Sequence, residues 1–197
     1  MPGFNLETVP TETKPGEFSH PQFQVGELVA HPVHGLCRIQ KIEVADIGEG
    51  DQLYYTFLMG TTRVNAKVFV SVALASELGV RYPVTRVQAQ DIVQILETAI
   101  EDPGLSWRAC LEQISKTLQT GDLFCLAKLM RSACLKGTTP FGENISENYP
   151  DNYRRDQALL TRAVQRLTSE LGFVLKESPG VIRKRIYKTW TKKVAHR

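Results

Sequence analysis

The chain has 197 residues, with a hydrophobic fraction of 42% and a charged fraction of 23%, the make-up of a globular protein of one large or two small domains. No apolar run approaches the ~20 residues needed to span a bilayer, and the N-terminus MPGFNLETVPTETKPGEF lacks the basic and apolar segments of a secretory signal, so a cytoplasmic protein is expected. The net charge of +3 conceals an asymmetry: Arg183, Lys184, Arg185, Lys188, Lys192, Lys193 and Arg197 crowd the end of the chain, and removing those seven leaves 17 basic against 21 acidic residues, a net charge of −4. A basic tail on a mildly acidic body excludes non-specific coating of nucleic acid by the whole surface, while an anionic partner near the C-terminus fits.

Residues 1–22 carry four prolines and few large apolar side chains, the pattern of a disordered arm. Phe23-Gln24-Val25-Gly26-Glu27 reads as a polar turn. Strands are expected at Leu28–Val33, Leu36–Ala45, Gln52–Met59 and Arg63–Val70, all rich in β-branched and aromatic residues. His31-Pro32-Val33-His34-Gly35 bends the chain sharply between the first two, since Pro32 donates no amide and Gly35 tolerates a positive φ. Ile47–Asp51 and Gly60-Thr61-Thr62 are hairpin connections, and a short fifth strand is expected near Val80.

Helical periodicity follows at Val72–Leu78 and at Gln88–Ile100, where Ile92, Ile95, Leu96 and Ala99 share a face. Asp102-Pro103-Gly104-Leu105 breaks the chain. Ser106 then caps a helix bearing Trp107, Leu111, Ile114 and Leu118. Thr120-Gly121-Asp122 opens another, striped by Leu123, Leu126, Ala127, Met130 and Cys134 and stopped by Gly137. A polar loop spans Thr138–Pro150. The longest helix runs from Asp151 to Leu171, with Gly172 near its end, and Ser178-Pro179 launches a last one carrying Ile182, Ile186, Trp190 and Val194.

No nucleotide-binding, zinc-protease or nucleophile-elbow motif is present, so no enzyme and no cofactor is expected. Cys37, Cys110, Cys125 and Cys134 form no metal-binding pair and read as reduced thiols; no metal site is expected. His31 and His34 lie in a turn without a carboxylate nearby, where packing and hydrogen bonding of the turn is the expected role.

Gly26-Glu27-x-Val29-x-x-Pro32-x-His34-Gly35, followed by Ile39-x-x-Ile42-Glu43, resembles the start of the CarD/CdnL family of bacterial transcription regulators, whose N-terminal module resembles the polymerase-interacting domain of transcription-repair coupling factors. Glu77-Leu78-Gly79-Val80-Arg81 resembles the family segment that closes its barrel. Trp107 preceding Gly121-Asp122-Leu123, with Ala127, Arg131, Leu160, Arg162, Ala163 and Glu170-Leu171 in matching order, extends the likeness to about residue 175. The chain departs from the family at Phe69, where an arginine is common, at Ala45, where a polar contact is common, and at Val70-Ser71, which replaces Val-Pro.

The resemblance implies an α+β chain: a small Tudor/SH3-like β-barrel at residues 23–85 that binds RNA polymerase, then a compact all-α helical domain at residues 86–178 that contacts DNA. The arm at 1–22 and a basic helix or tail at 179–197 flank them. The implied partners of this monomer are the β subunit of bacterial RNA polymerase and promoter DNA at the upstream edge of the melted bubble, with no membrane. The implied function is stabilisation of the open complex, in the cytoplasm and at the nucleoid through the polymerase. Tyr55, Arg63, Lys67 and Phe69 are the candidate polymerase contacts, and Trp107, Arg108, Arg131, Arg154 and Arg155 the candidate DNA contacts.

Trp107 would wedge into the minor groove and oppose bubble closure, a contact of ~1–3 kcal/mol by analogy with base–aromatic stacking. Its residue type and place equally suit a core anchor of an amphipathic helix. Two other functions compete: a protein-interaction adapter with a buried Trp107, and a helix-turn-helix DNA binder made from residues 106–136. The second of these lacks polar base-reading residues, because Leu123, Phe124, Leu126 and Leu129 make its reading helix apolar.

Overall fold

The computed structural model describes residues 20–48, 50–59, 67–98, 104–135 and 151–194, and the side chains of all of these except 58–59, 134–135, 151–154 and 188–194. The expected arm up to residue 19, the turn at 60–62, Arg63, Ala99 and Ile100, Asp102-Pro103, Gly137 and the loop at 138–150 lie outside the described residues, as do the side chains of Cys134, Trp190 and Val194.

Four strands form an antiparallel sheet in the order β1-β2-β3-β4: β1 at Leu28–His31, β2 at Gly35–Asp46, β3 at Asp51–Met59 and β4 at Lys67–Ser71. Among the described residues the sheet is not closed, so β4 keeps a free edge where a complete barrel was expected. The bend at 32–34 is tight because Gly35 takes φ +79° and because the Nδ1 atom of His31 accepts the amides of Val33 (3.1 Å) and His34 (3.3 Å). The sheet's inner face buries Val29, Cys37, Ile39, Tyr55, Phe57 and Val70. Phe23 is no mere turn residue. It is fully buried, donates its amide to the Tyr55 hydroxyl at 3.1 Å, and meets the Tyr82 ring edge-on at 5.0 Å.

Residues 72–79 depart from the helix expected there. They form a succession of turns in which Val72 and Ala75 join the sheet core while Leu74 and Leu78 face outward. The Val80 amide bonds back to Ala75, which leaves only Arg81 to pair with β1, through Ala30. The expected fifth strand is therefore a single bridge.

Five helices follow: α1 at Arg86–Glu97, α2 at Trp107–Thr120, α3 at Leu123–Leu135, α4 at Asp151–Leu175 and α5 at Pro179–Val194. Helix α1 starts earlier than its apolar stripe suggests, because Thr85 and Gln88 form a reciprocal capping box. Ser106 caps α2 by accepting the Ala109 amide at 3.2 Å, Asp122 caps α3 through the Cys125 amide at 3.0 Å, and Ser178 caps α5 through Val181.

Helix α4 runs past Gly172. It ends instead at Lys176, the one non-glycine with positive φ (58°) among the described residues, whose amide and that of Glu177 return to the carbonyls of Phe173 and Gly172 in the Schellman pattern. Gly172 serves another purpose. A Cβ there would lie 2.8 Å from the Glu177 carbonyl, so its lack of a side chain lets the chain fold back against α4.

The helices enclose a second core, separate from that of the sheet, with Ile92, Leu96, Ile114, Leu126, Met130, Leu160 and Leu171 among its most buried members. Burying one such side chain contributes roughly 1.5–3 kcal/mol. Ile182 and Ile186 seat α5 on this core, and Arg185 pairs with Glu97 of α1.

Candidate interaction surfaces

The strand period sorts the expected polymerase contacts. Lys67 and Phe69 are two apart on β4 and share its outer face, while Val68 and Val70 between and beside them point to the core. Phe69 is 44% exposed, large and apolar, opposite Thr56 of β3. Tyr55 does not join them. It pairs with Val70 in the ladder, has no exposed surface, and its hydroxyl is taken by Phe23; it is a core residue, and that expectation is corrected. Lys41 and Glu43 of β2 add charge to the outer face, with Glu43 accepting the Thr56 hydroxyl at 3.0 Å.

The expected DNA contacts also separate. Trp107 lies partly buried at the first turn of α2, packed against the helical core, and its indole N–H donates to Asp156 Oδ2 at 3.1 Å. That bond joins the N-terminal ends of α2 and α4. Arg108, next to Trp107 in the chain, and Arg155, next to Asp156, are both exposed. The side chain of Arg154 is outside the described residues. Arg131 must be removed from the set: it is 2% exposed, and its Nε donates to the Thr98 carbonyl at 3.0 Å, placing positive charge at the negative end of α1.

The two cores meet along a polar seam. Arg81 donates to both carboxylate oxygens of Glu170 on α4, at 2.7 and 3.1 Å, and twice to the Gly121 carbonyl at the end of α2. Glu170 also accepts the Val84 amide at 3.0 Å. Gly79 (φ +81°) passes so close to α2 that a Cβ would lie 2.7 Å from the Thr120 carbonyl.

Burial, the neighbouring His34 and the charge of Arg166 pull the pKa of His31 from 6.5 down to about 4, and burial lowers that of His34 as well. Both histidines are neutral at pH 7. Burial pushes the Cys37 thiol up; Cys37 and Cys110 are buried and unbridged, and Cys125 is partly buried and unbridged. Among the described residues no cluster of His, Cys, Asp or Glu could hold a metal ion, and no helix is long and apolar enough to cross a membrane.

Sequence reasoning passed over the seam. Arg81 and Glu170 sat within recognised segments, but nothing local links residues so far apart.

Residues 23–82 match the family model described as the CarD-like/TRCF RID domain. A protein of Bacillus subtilis (strain 168), "Putative transcription factor YdeB", is 27% identical over 110 residues, covering 55% of this chain and 70% of that protein.

Proposed function

From the match of residues 23–82 to the CarD-like/TRCF RID domain and the likeness to YdeB, we propose that the chain is a CarD-like regulator of transcription that binds the β subunit of RNA polymerase through residues 23–85 and promoter DNA through residues 86–178, stabilising the open complex. Family and relative alike point to a transcription factor, a non-catalytic kind of protein.

The observation that carries the reading is the free edge of β4 beside exposed Phe69 and Lys67, within the matched region. An unpaired edge adds a partner's strand through main-chain hydrogen bonds, and a neighbouring aromatic supplies the apolar anchor. Phe69 thus takes over by apolar contact what an arginine does in other members. The test is capture of core RNA polymerase by the immobilised full-length chain. Phe69→Asp is expected to weaken capture at least about tenfold, with its unfolding midpoint unchanged. Equal affinity for the two chains would remove β4 from the interface.

On the helical side, Trp107, Arg108 and Arg155 form the DNA-facing group: the arginines pair with phosphates while the indole props the junction of duplex and bubble. A second reading has its own support. The indole N–H is already satisfied by Asp156 and the ring leans on the core, as an adapter without DNA contact would require. Open-complex lifetime with Trp107 variants separates the two.

A further inference from the structure

A cleft of about 750 Å³ opens between the β1–β2 bend and α4, with His34 on one wall, Arg162, Gln165, Arg166 and Ser169 of α4 on the other, and Pro179 of α5 at its side. That volume lies within the range that holds small organic ligands.

Arg166 is anomalous within it. The residue is 7% exposed, and none of its three guanidinium nitrogens has a hydrogen-bond partner among the described residues. Its neighbouring carboxylate, Glu170, spends both oxygens on Arg81 and accepts the Val84 amide too. A guanidinium stays charged in proteins and carries five donors; buried charges are as a rule paired. The bend leaves room for it, since a Cβ on Gly35 would sit 3.2 Å from Nη1.

We propose that this cleft binds a small phosphorylated molecule, whose phosphoryl oxygens pair with Arg166 and Arg162. The two arginines are four apart, hence on one face of α4. Arg162 is exposed at the rim and Arg166 sits deep. The charge count selects the ligand. Glu170 also lines the cleft but is matched by Arg81, and the histidines are neutral, so Arg162 and Arg166 leave two unmatched positive charges in its walls. A phosphate monoester dianion neutralises both, and its oxygens fit the guanidinium fork. Gln165 and Ser169 add polar groups, and Pro179 puts the positive end of the α5 dipole alongside. Pairing requires the Arg166 guanidinium to turn from the wall into the cleft, a rotamer change within a long side chain. Its depth between the two cores suits a small molecule rather than a duplex backbone. The site stands independently of polymerase binding.

The test is calorimetric titration of the full-length chain with inorganic phosphate and with pyrophosphate, alongside a short DNA duplex. Saturable binding of either phosphate probe is expected, weakened at least about tenfold by Arg166→Met and several-fold by Arg162→Gln, with duplex binding unchanged by Arg166→Met. Arg166→Met is also expected to keep or raise the melting temperature without ligand, as replacement of an unpaired buried charge by an apolar side chain does. Should that variant fail to fold, Arg162→Gln on the exposed rim decides. No binding by about 10 mM probe, binding indifferent to the variants, or loss of duplex binding instead would each overturn the proposal.

Discussion

Glu170 and Arg81, 89 residues apart in sequence, are joined by a two-pronged ion pair in which the carboxylate is 1% exposed and the guanidinium 29%. It ties the segment bridged to β1 to helix α4. Deleting one partner strands the other in a poorly solvated seam. Glu170→Ala is expected to lower unfolding stability by about 2–4 kcal/mol, read from urea denaturation. A double-mutant cycle with Arg81→Ala should return a coupling above about 1 kcal/mol; additive losses would show that the pair contributes nothing as a pair.

Gly79 and Gly26 make a matched comparison. Both have positive φ, but a Cβ on Gly26 meets nothing within 4 Å, whereas one on Gly79 would press on the Thr120 carbonyl at 2.7 Å. Gly26→Ala is expected to cost about 1–2 kcal/mol, the left-handed backbone alone, and Gly79→Ala clearly more. Equal losses by thermal denaturation would mean that the seam opens freely at that point.

His31 makes the fold acid-sensitive. The folded chain holds it neutral down to about pH 4, while the ordinary value is 6.5. Between those limits the unfolded chain binds the extra proton, so stability is complete above the upper one and falls as pH drops toward the lower. The loss is at most about 3 kcal/mol, and His34 acts in the same direction. Urea midpoints followed from about pH 7 to about pH 4.5 should decline, and His31→Asn, which keeps an acceptor for the turn, should flatten that decline. An unaltered slope would place the sensitivity elsewhere.

Trp107→Ala is expected to shorten open-complex lifetime several-fold, about 1 kcal/mol or more of lost stacking, with polymerase capture intact. Asp156→Ala frees the indole N–H without removing the ring. If a propped junction is the mechanism, that variant should retain the lifetime that Trp107→Ala loses. Equal lifetimes for the wild type and Trp107→Ala in a folded chain would favour the adapter.

Lys176 holds the left-handed position that ends α4, where glycine has no Cβ penalty. Lys176→Gly is expected to raise stability by up to about 1 kcal/mol, visible as a higher melting temperature. A decrease would indicate that the lysine side chain contributes more than its backbone strain costs.

The strands, the capped helices and their apolar stripes were legible because periods of two and 3.6 register in any short window. Tyr55 was not, because Tyr54, Tyr55, Thr56 and Phe57 are all buried and mask the alternation that would have shown which of them faces inward. Arg131 looked like surface charge. Its burial depends on the Thr98 carbonyl in another helix, and sequence spacing carries no trace of that. The same holds for Arg166 and Glu170. Next to the apolar stripe of α4 runs a second, polar one turned toward the sheet, and four-residue spacing of charged groups ordinarily signals water rather than a domain seam.

Helix α4 carries Asp156 near one end and Glu170 near the other, 14 positions later in one unbroken 25-residue helix, about 21 Å at 1.5 Å per residue. The residue bonded to the indole and the residue gripping the sheet therefore ride on the same stiff beam. Where the sheet is held fixes where the tryptophan stands, and a shift at either end is felt at the other with little slack between them.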